Sequence, residues 1–169
     1  MDLTNAARAD WAADALNAYA RAAPAALLPF PERAERVRLG IVAAEALARV
    51  TRATTDGHTV DHQDIADEVE VIGDLLCYAV LLAEGRATAD QLTRAAAEMR
   101  STDYPVTLTA VCKISTPDAQ PADRIAAMMA AALEAAEHYG CDVPTMLAHA
   151  VTCAQDMQAE EAAEEEDGA

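Results

Sequence analysis

The chain has 169 residues, a hydrophobic fraction of 53% and a formal net charge of −17, from 29 acidic against 12 basic residues. Such a length suits one hydrophobic core and is short for two full domains. The charge disfavours direct nucleic-acid binding, which needs clustered Lys or Arg to neutralise phosphate.

Much of the hydrophobic fraction is alanine and aromatics are only 4% of the chain, so closely packed helices with few bulky anchors are expected. Trp11, Phe30, Tyr19, Tyr78, Tyr104 and Tyr139 supply those anchors. No apolar stretch approaches the roughly 20 residues of a membrane span, and no basic segment precedes an apolar one at the N-terminus. A cytoplasmic protein without membrane association is the expectation. Cys77, Cys112, Cys141 and Cys153 follow no CxxC or CxxH spacing, which argues against a zinc site.

In chain order, Leu3, Ala7, Trp11, Ala15 and Tyr19 recur about once per helical turn and predict a helix over Thr4–Ala22. A Pro-bounded loop leads to a second helix from about Pro31 to Thr54, closed by the turn Asp56-Gly57. His62 to Glu84 is the most strongly apolar segment and is expected to be the central helix, stopped by Gly85. Thr88-Ala89-Asp90-Gln91 has capping-box spacing for a fourth helix to about Met99. The stretch 101–121 breaks the periodicity and is read as loop. A closing antiparallel hairpin follows, with one helix over Ala122–His138, Gly140 and Asp142 as caps, and a last helix over Pro144–Glu160. The fold class is thus all-α, a multi-helix bundle with antiparallel helical hairpins. It forms a single domain over 1–156, with core helices in 4–100 and the closing hairpin in 122–156, followed by an acidic, disordered tail over 157–169.

Two carboxylates stand alone in apolar helix: Glu45 in Leu39-Gly40-Ile41-Val42-Ala43-Ala44-Glu45-Ala46-Leu47-Ala48, and Asp74 in Val71-Ile72-Gly73-Asp74-Leu75-Leu76. A carboxylate buried without a partner either loses its charge or acquires a cation. Asp67, Glu70 and Asp74 fall at i, i+3 and i+7, on one stripe of their helix. An antiparallel second helix could add Glu45 to that stripe, and Glu45, Glu70 and Asp74 together would suit Mg²⁺, which takes carboxylate and phosphate oxygens. The competing expectation is a solvent-facing acidic stripe, with Glu45 paired to Arg49 and Asp74 paired to an arginine from another helix. His58 and His62, at i and i+4, lack a third ligand nearby in sequence.

These segments resemble the all-α nucleotide pyrophosphohydrolases of the MazG-like type. The resemblance runs over about residues 5–85, through Trp11 and Tyr19, the helix Arg38–Ala48 and the helix Asp64–Leu76, with a weaker echo over 122–157 around Ala136–Pro144. It implies Mg²⁺ held by carboxylates of an EExxE helix and an ExxD helix, and cleavage of nucleoside triphosphates to monophosphate and pyrophosphate. In this chain the first motif keeps only Glu45, and the second keeps Asp74 with Val71 at the glutamate position and Glu70 one residue early. One residue rotates a helical side chain by about 100°, so Glu70 is no direct substitute. The resemblance therefore implies either a Mg²⁺ site rebuilt from Glu45, Glu70 and Asp74, with Arg38 and Arg49 meeting phosphate, or a catalytically degenerate relative. The alternative is a non-enzymatic acidic helical module that acts by self-association or on a basic protein partner. Either way a homo-oligomer is expected, because a lean Ala-rich core gains from further burial.

Overall fold

Thr4 opens the first helix by accepting the Ala7 N–H on its Oγ1 at 3.2 Å, which satisfies a donor that the first turn leaves free. In this computed structural model, residues 4–23, 33–54, 65–101 and 121–167 are described. Six α-helices make up an all-α bundle among them: α1 Asn5–Ala22, α2 Arg33–Thr54, α3 Ile65–Leu82, α4 Ala89–Ser101, α5 Pro121–His138 and α6 Val143–Asp167. The described residues include no strand and no helix long and apolar enough to cross a membrane.

The predicted caps are present. Thr88 and Gln91 bond reciprocally, with the Thr88 N–H on Gln91 Oε1 at 2.9 Å and the Gln91 N–H on Thr88 Oγ1 at 3.2 Å. Gly85 and Gly140 take positive φ of 72° and 82° after α3 and α5, and Cys141 N–H closes onto the Ala136 carbonyl at 3.0 Å. Asp142 accepts the Thr145 N–H to start α6. The turn Asp56-Gly57, the pair His58/His62 and residues 102–120 of the expected loop lie outside the described residues.

Two helices share the centre of the bundle. Helix α3, the one expected there, is deeply buried at Ile72, Leu75 and Leu76 and packs against α1, α2, α5 and α6, and α5 is buried at every position from Ile125 to Ala136 and is packed by α2, α3 and α4. Large side chains build the contacts of α3, and small ones build those of α5. Seven of those twelve α5 positions (126, 127, 130, 131, 132, 135 and 136) are alanine, which lets three helices approach together. Met128 and Met129 are fully buried core residues within it.

The closing pair also departs from a hairpin. After the turn at Gly140, α6 runs along α3 and makes little contact with α5, whose surface the other helices already occupy. Nor does α6 stop near Glu160: it continues to Asp167, through the segment read as a tail. There Glu161 Oε1 accepts the backbone N–H of Asn5 at 3.3 Å, and the Met157 carbonyl accepts Asn5 Nδ2 at 2.9 Å. A carboxylate at the start of α1 meets the positive end of its dipole.

The tightest helix crossing is α2 on α5. A Cβ added to Gly40 would stand 2.1 Å from the Ala131 carbonyl oxygen and 2.6 Å from its carbon, so the two backbones touch where no side chain fits. Gly73 on α3 has nothing within 4 Å of the same added atom. The same substitution should therefore act with opposite sign at the two positions. Gly40→Ala is expected to lower the free energy of unfolding by about 3 kcal/mol through overpacking, and Gly73→Ala to raise it by about 0.5–1 kcal/mol through helix propensity. Urea denaturation followed by circular dichroism measures both, and a neutral Gly40→Ala would contradict the backbone contact.

Candidate functional site

The acids singled out from sequence occupy two different environments. On α3, Glu70 and Asp74 are exposed and close enough that the charge of Glu70 acts on Asp74, while Arg8 of α1 opposes it. Asp74 is pushed up to about 6, first by partial withdrawal from water and then by Glu70. Its cationic neighbour is Arg8 of another helix, which acts on it through its charge. Arg8 also donates to Asn5 Oδ1 at 2.9 Å and to the Tyr78 hydroxyl, itself raised to about 12 chiefly by burial. Trp11 of α1 covers the same corner, its ring centroid 6.1 Å from that of Tyr78 and tilted by 55°.

Glu45 belongs elsewhere. Half-buried on α2, it acts with the buried Glu68 on Tyr139, whose hydroxyl is raised first by desolvation, then by Glu68 and Glu45. Asp67, the remaining member of the predicted stripe, is half-buried. The arginines proposed for phosphate are placed as follows. Arg38 is gripped by Glu35, at 2.8 Å from Nε and 2.6 Å from the terminal amine, and also donates to the Ala22 carbonyl at 3.2 Å. That hydrogen bond from Arg38 holds the Glu35 carboxyl below its usual range. Arg49 is exposed on α2. Among the described residues, no group of three or more His, Cys, Asp or Glu side chains is placed to hold a metal ion.

The most buried charge cluster escaped sequence analysis. Glu134, on α5, has a side chain only 4% exposed and is held from two other helices: Arg33 Nε at 3.0 Å and Arg36 at 3.0 Å from α2, with Arg100 Nε of α4 at 3.7 Å. One turn on, Glu137 takes Arg33 at 2.7 Å and Arg100 at 2.9 Å. Glu134 was findable: it is the single charge in Ala130-Ala131-Ala132-Leu133-Glu134-Ala135-Ala136, the same pattern that drew attention to Glu45 and Asp74. Chemically this is an intramolecular clamp, in which guanidinium forks satisfy carboxylates that burial would otherwise penalise.

Comparison with protein-family models, curated proteins and solved structures gave no match for the chain.

Two outcomes follow from these environments. Glu134→Ala removes the buried carboxylate that Arg33, Arg36 and Arg100 share and should cost about 3–5 kcal/mol, whereas Glu137→Ala, at a side chain 45% exposed, should cost about 1 kcal/mol or less. Equal losses in denaturant melts would show that burial does not govern the clamp. For Asp74 the folded carboxyl binds its proton more tightly than the unfolded one, so its favourable contribution is full below about pH 4 and is lost as pH rises through about 6. Asp74→Asn, which mimics the protonated form, should therefore raise Tm at pH 7 and leave it unchanged near pH 4. Solvent access limits the gain to about 1 kcal/mol or less, and a pH-independent difference in thermal melts would rule out this linkage.

Proposed function

We propose that the chain is a catalytically degenerate relative of the MazG-like nucleoside triphosphate pyrophosphohydrolases, a helical framework that works as a non-enzymatic module. The supporting observation is the division of its acids. Glu70 and Asp74 stand together near Arg8, while Glu45 stands with Glu68 beside Tyr139. A Mg²⁺ ion that bridges substrate phosphates needs its carboxylates on one small coordination sphere. The different neighbours of Glu45 and of the Glu70–Asp74 pair favour a reading in which the three do not serve as one such set. Arg38, bound by Glu35 and the Ala22 carbonyl, would have to give up three hydrogen bonds to meet a phosphate.

The resemblance rests on helix order and hydrophobic pattern, features that survive when a metal site erodes. Retaining the bundle while Val71 replaces a metal-ligating glutamate removes chemistry without disturbing packing, because Val71 is itself buried in the core. The test is pyrophosphate release from a panel of ribo- and deoxyribonucleoside triphosphates with Mg²⁺, paired with melting curves with and without the ion. No release above the protein-free blank and no Mg²⁺-dependent shift in Tm are expected. Turnover that Asp74→Asn abolishes would overturn the degenerate reading and restore the enzyme.

A further inference from the structure

Three sulfur atoms from two helices meet in the seam between α3 and α6. Cys77 of α3 is buried, its Sγ lies 4.0 Å from Met157 Sδ of α6, and its thiol is hydrogen-bonded with Cys153, also of α6. Cys153 and Met157 are four residues apart, so they project from one face of their helix. Both are half-buried and packed against the core, which leaves a route from solvent to the sulfurs. Cys141, the other described cysteine, lies in the turn before α6.

Thiolate and thioether are soft donors, and their combination selects soft cations such as Cu(I) over Mg²⁺ or Ca²⁺. The spacing agrees. With metal–sulfur bonds of about 2.3 Å, three sulfurs around a trigonal ion stand about 4 Å apart. Zinc is less well served, since a structural zinc site takes four ligands in a tetrahedron. A d¹⁰ monovalent ion needs only two or three. We propose that Cys77, Cys153 and Met157 form a three-sulfur binding site for Cu(I) between α3 and α6.

Binding is a proton-for-metal exchange without redox change: Cu(I) takes two thiolates and the Met157 thioether, and the two thiol protons pass to solvent. The resulting centre carries one negative charge, which the Asp74 carboxylate opposes and the Arg8 guanidinium favours, both already felt by the Cys77 thiol. Without metal, burial and the Cys153 hydrogen bond hold the Cys77 thiol up to about 12, so it stays protonated and is a poor nucleophile toward oxidants.

The test is an anaerobic titration of the full chain with Cu(I) in competition with a chromogenic Cu(I) chelator, read together with thiolate-to-copper absorption. One equivalent retained per chain is expected. Cys77→Ser and Cys153→Ser should each lose that retention, Met157→Leu should weaken it about 10-fold or more, and Cys141→Ser should leave it intact. Because Cys153 is half-buried, its serine variant is expected to keep the wild-type helical signal even if Cys77→Ser does not fold. Wild-type retention by a folded Cys153→Ser would overturn the site. So would failure of the reduced wild-type chain to hold copper against the chelator, including the case in which its thiols are consumed by a Cys77–Cys153 disulfide.

Discussion

The bundle depends on the close approach of α2 to α5. Where Gly40 meets the Ala131 carbonyl, the helices touch backbone to backbone, and the flanking alanines extend that contact in both directions. A chain with 4% aromatics has few side chains to fill wide gaps between helices, so its core must remove the gaps instead. Small residues do this by shortening the interaxial distance, which multiplies weak dispersion contacts along the whole crossing. The small-residue circumference of α5 lets α2, α3 and α4 approach it closely, whereas α3 meets α1, α2, α5 and α6 through larger side chains.

Such smooth surfaces carry an ambiguity. Alanine resembles alanine, and an Ala-rich helix shifted or rotated against its neighbours loses little van der Waals contact. Glu134 removes that freedom. Rotating α5 by one residue swings the carboxylate by about 100°, away from Arg33, Arg36 and Arg100 and into the apolar contacts that occupy the rest of the helix. The penalty for a buried, unpaired charge is several kcal/mol, far more than alanine packing can impose on its own. Arginine suits the task because its planar fork engages one carboxylate oxygen with two helices present, and its charge persists at any physiological pH. The clamp also joins α2, α4 and α5, elements separated in sequence, at a single carboxylate.

Among the described residues, the helices, their caps and most boundaries were legible because they are local. Thr88 and Gln91 announce a capping box three residues apart, and Gly85 and Gly140 mark left-handed stops by their own stereochemistry. Packing order was not legible, for two physical reasons. Hydropathy ranks the transfer energy of side chains, so it pointed to α3, rich in Leu, Ile and Val, and did not single out the alanine-lined α5 that shares the centre with it. Chain proximity then suggested that α6 folds back on α5, whereas it packs along α3. The acidic segment after Glu160 misled in another way: Glu161 reads as surplus charge along the chain, yet it stands at the N-terminus of α1 in space.

The lone-charge criterion itself worked better than its interpretation. A single carboxylate in an apolar helix signals that a partner exists; it does not say whether that partner is a metal, an arginine or another acid. Here the three instances resolve three ways. Glu134 has a closed guanidinium shell, Asp74 has Arg8 opposed by Glu70, and Glu45 shares the Tyr139 surroundings with Glu68. What separates them is depth. The fully buried Glu134 requires direct ion pairs, since desolvation grows faster than a distant charge can offset. Asp74, with solvent access, tolerates a loose arrangement and meets part of the cost by binding a proton more readily. Sequence can count such charges, but their chemistry is decided by burial and by residues that arrive from far along the chain.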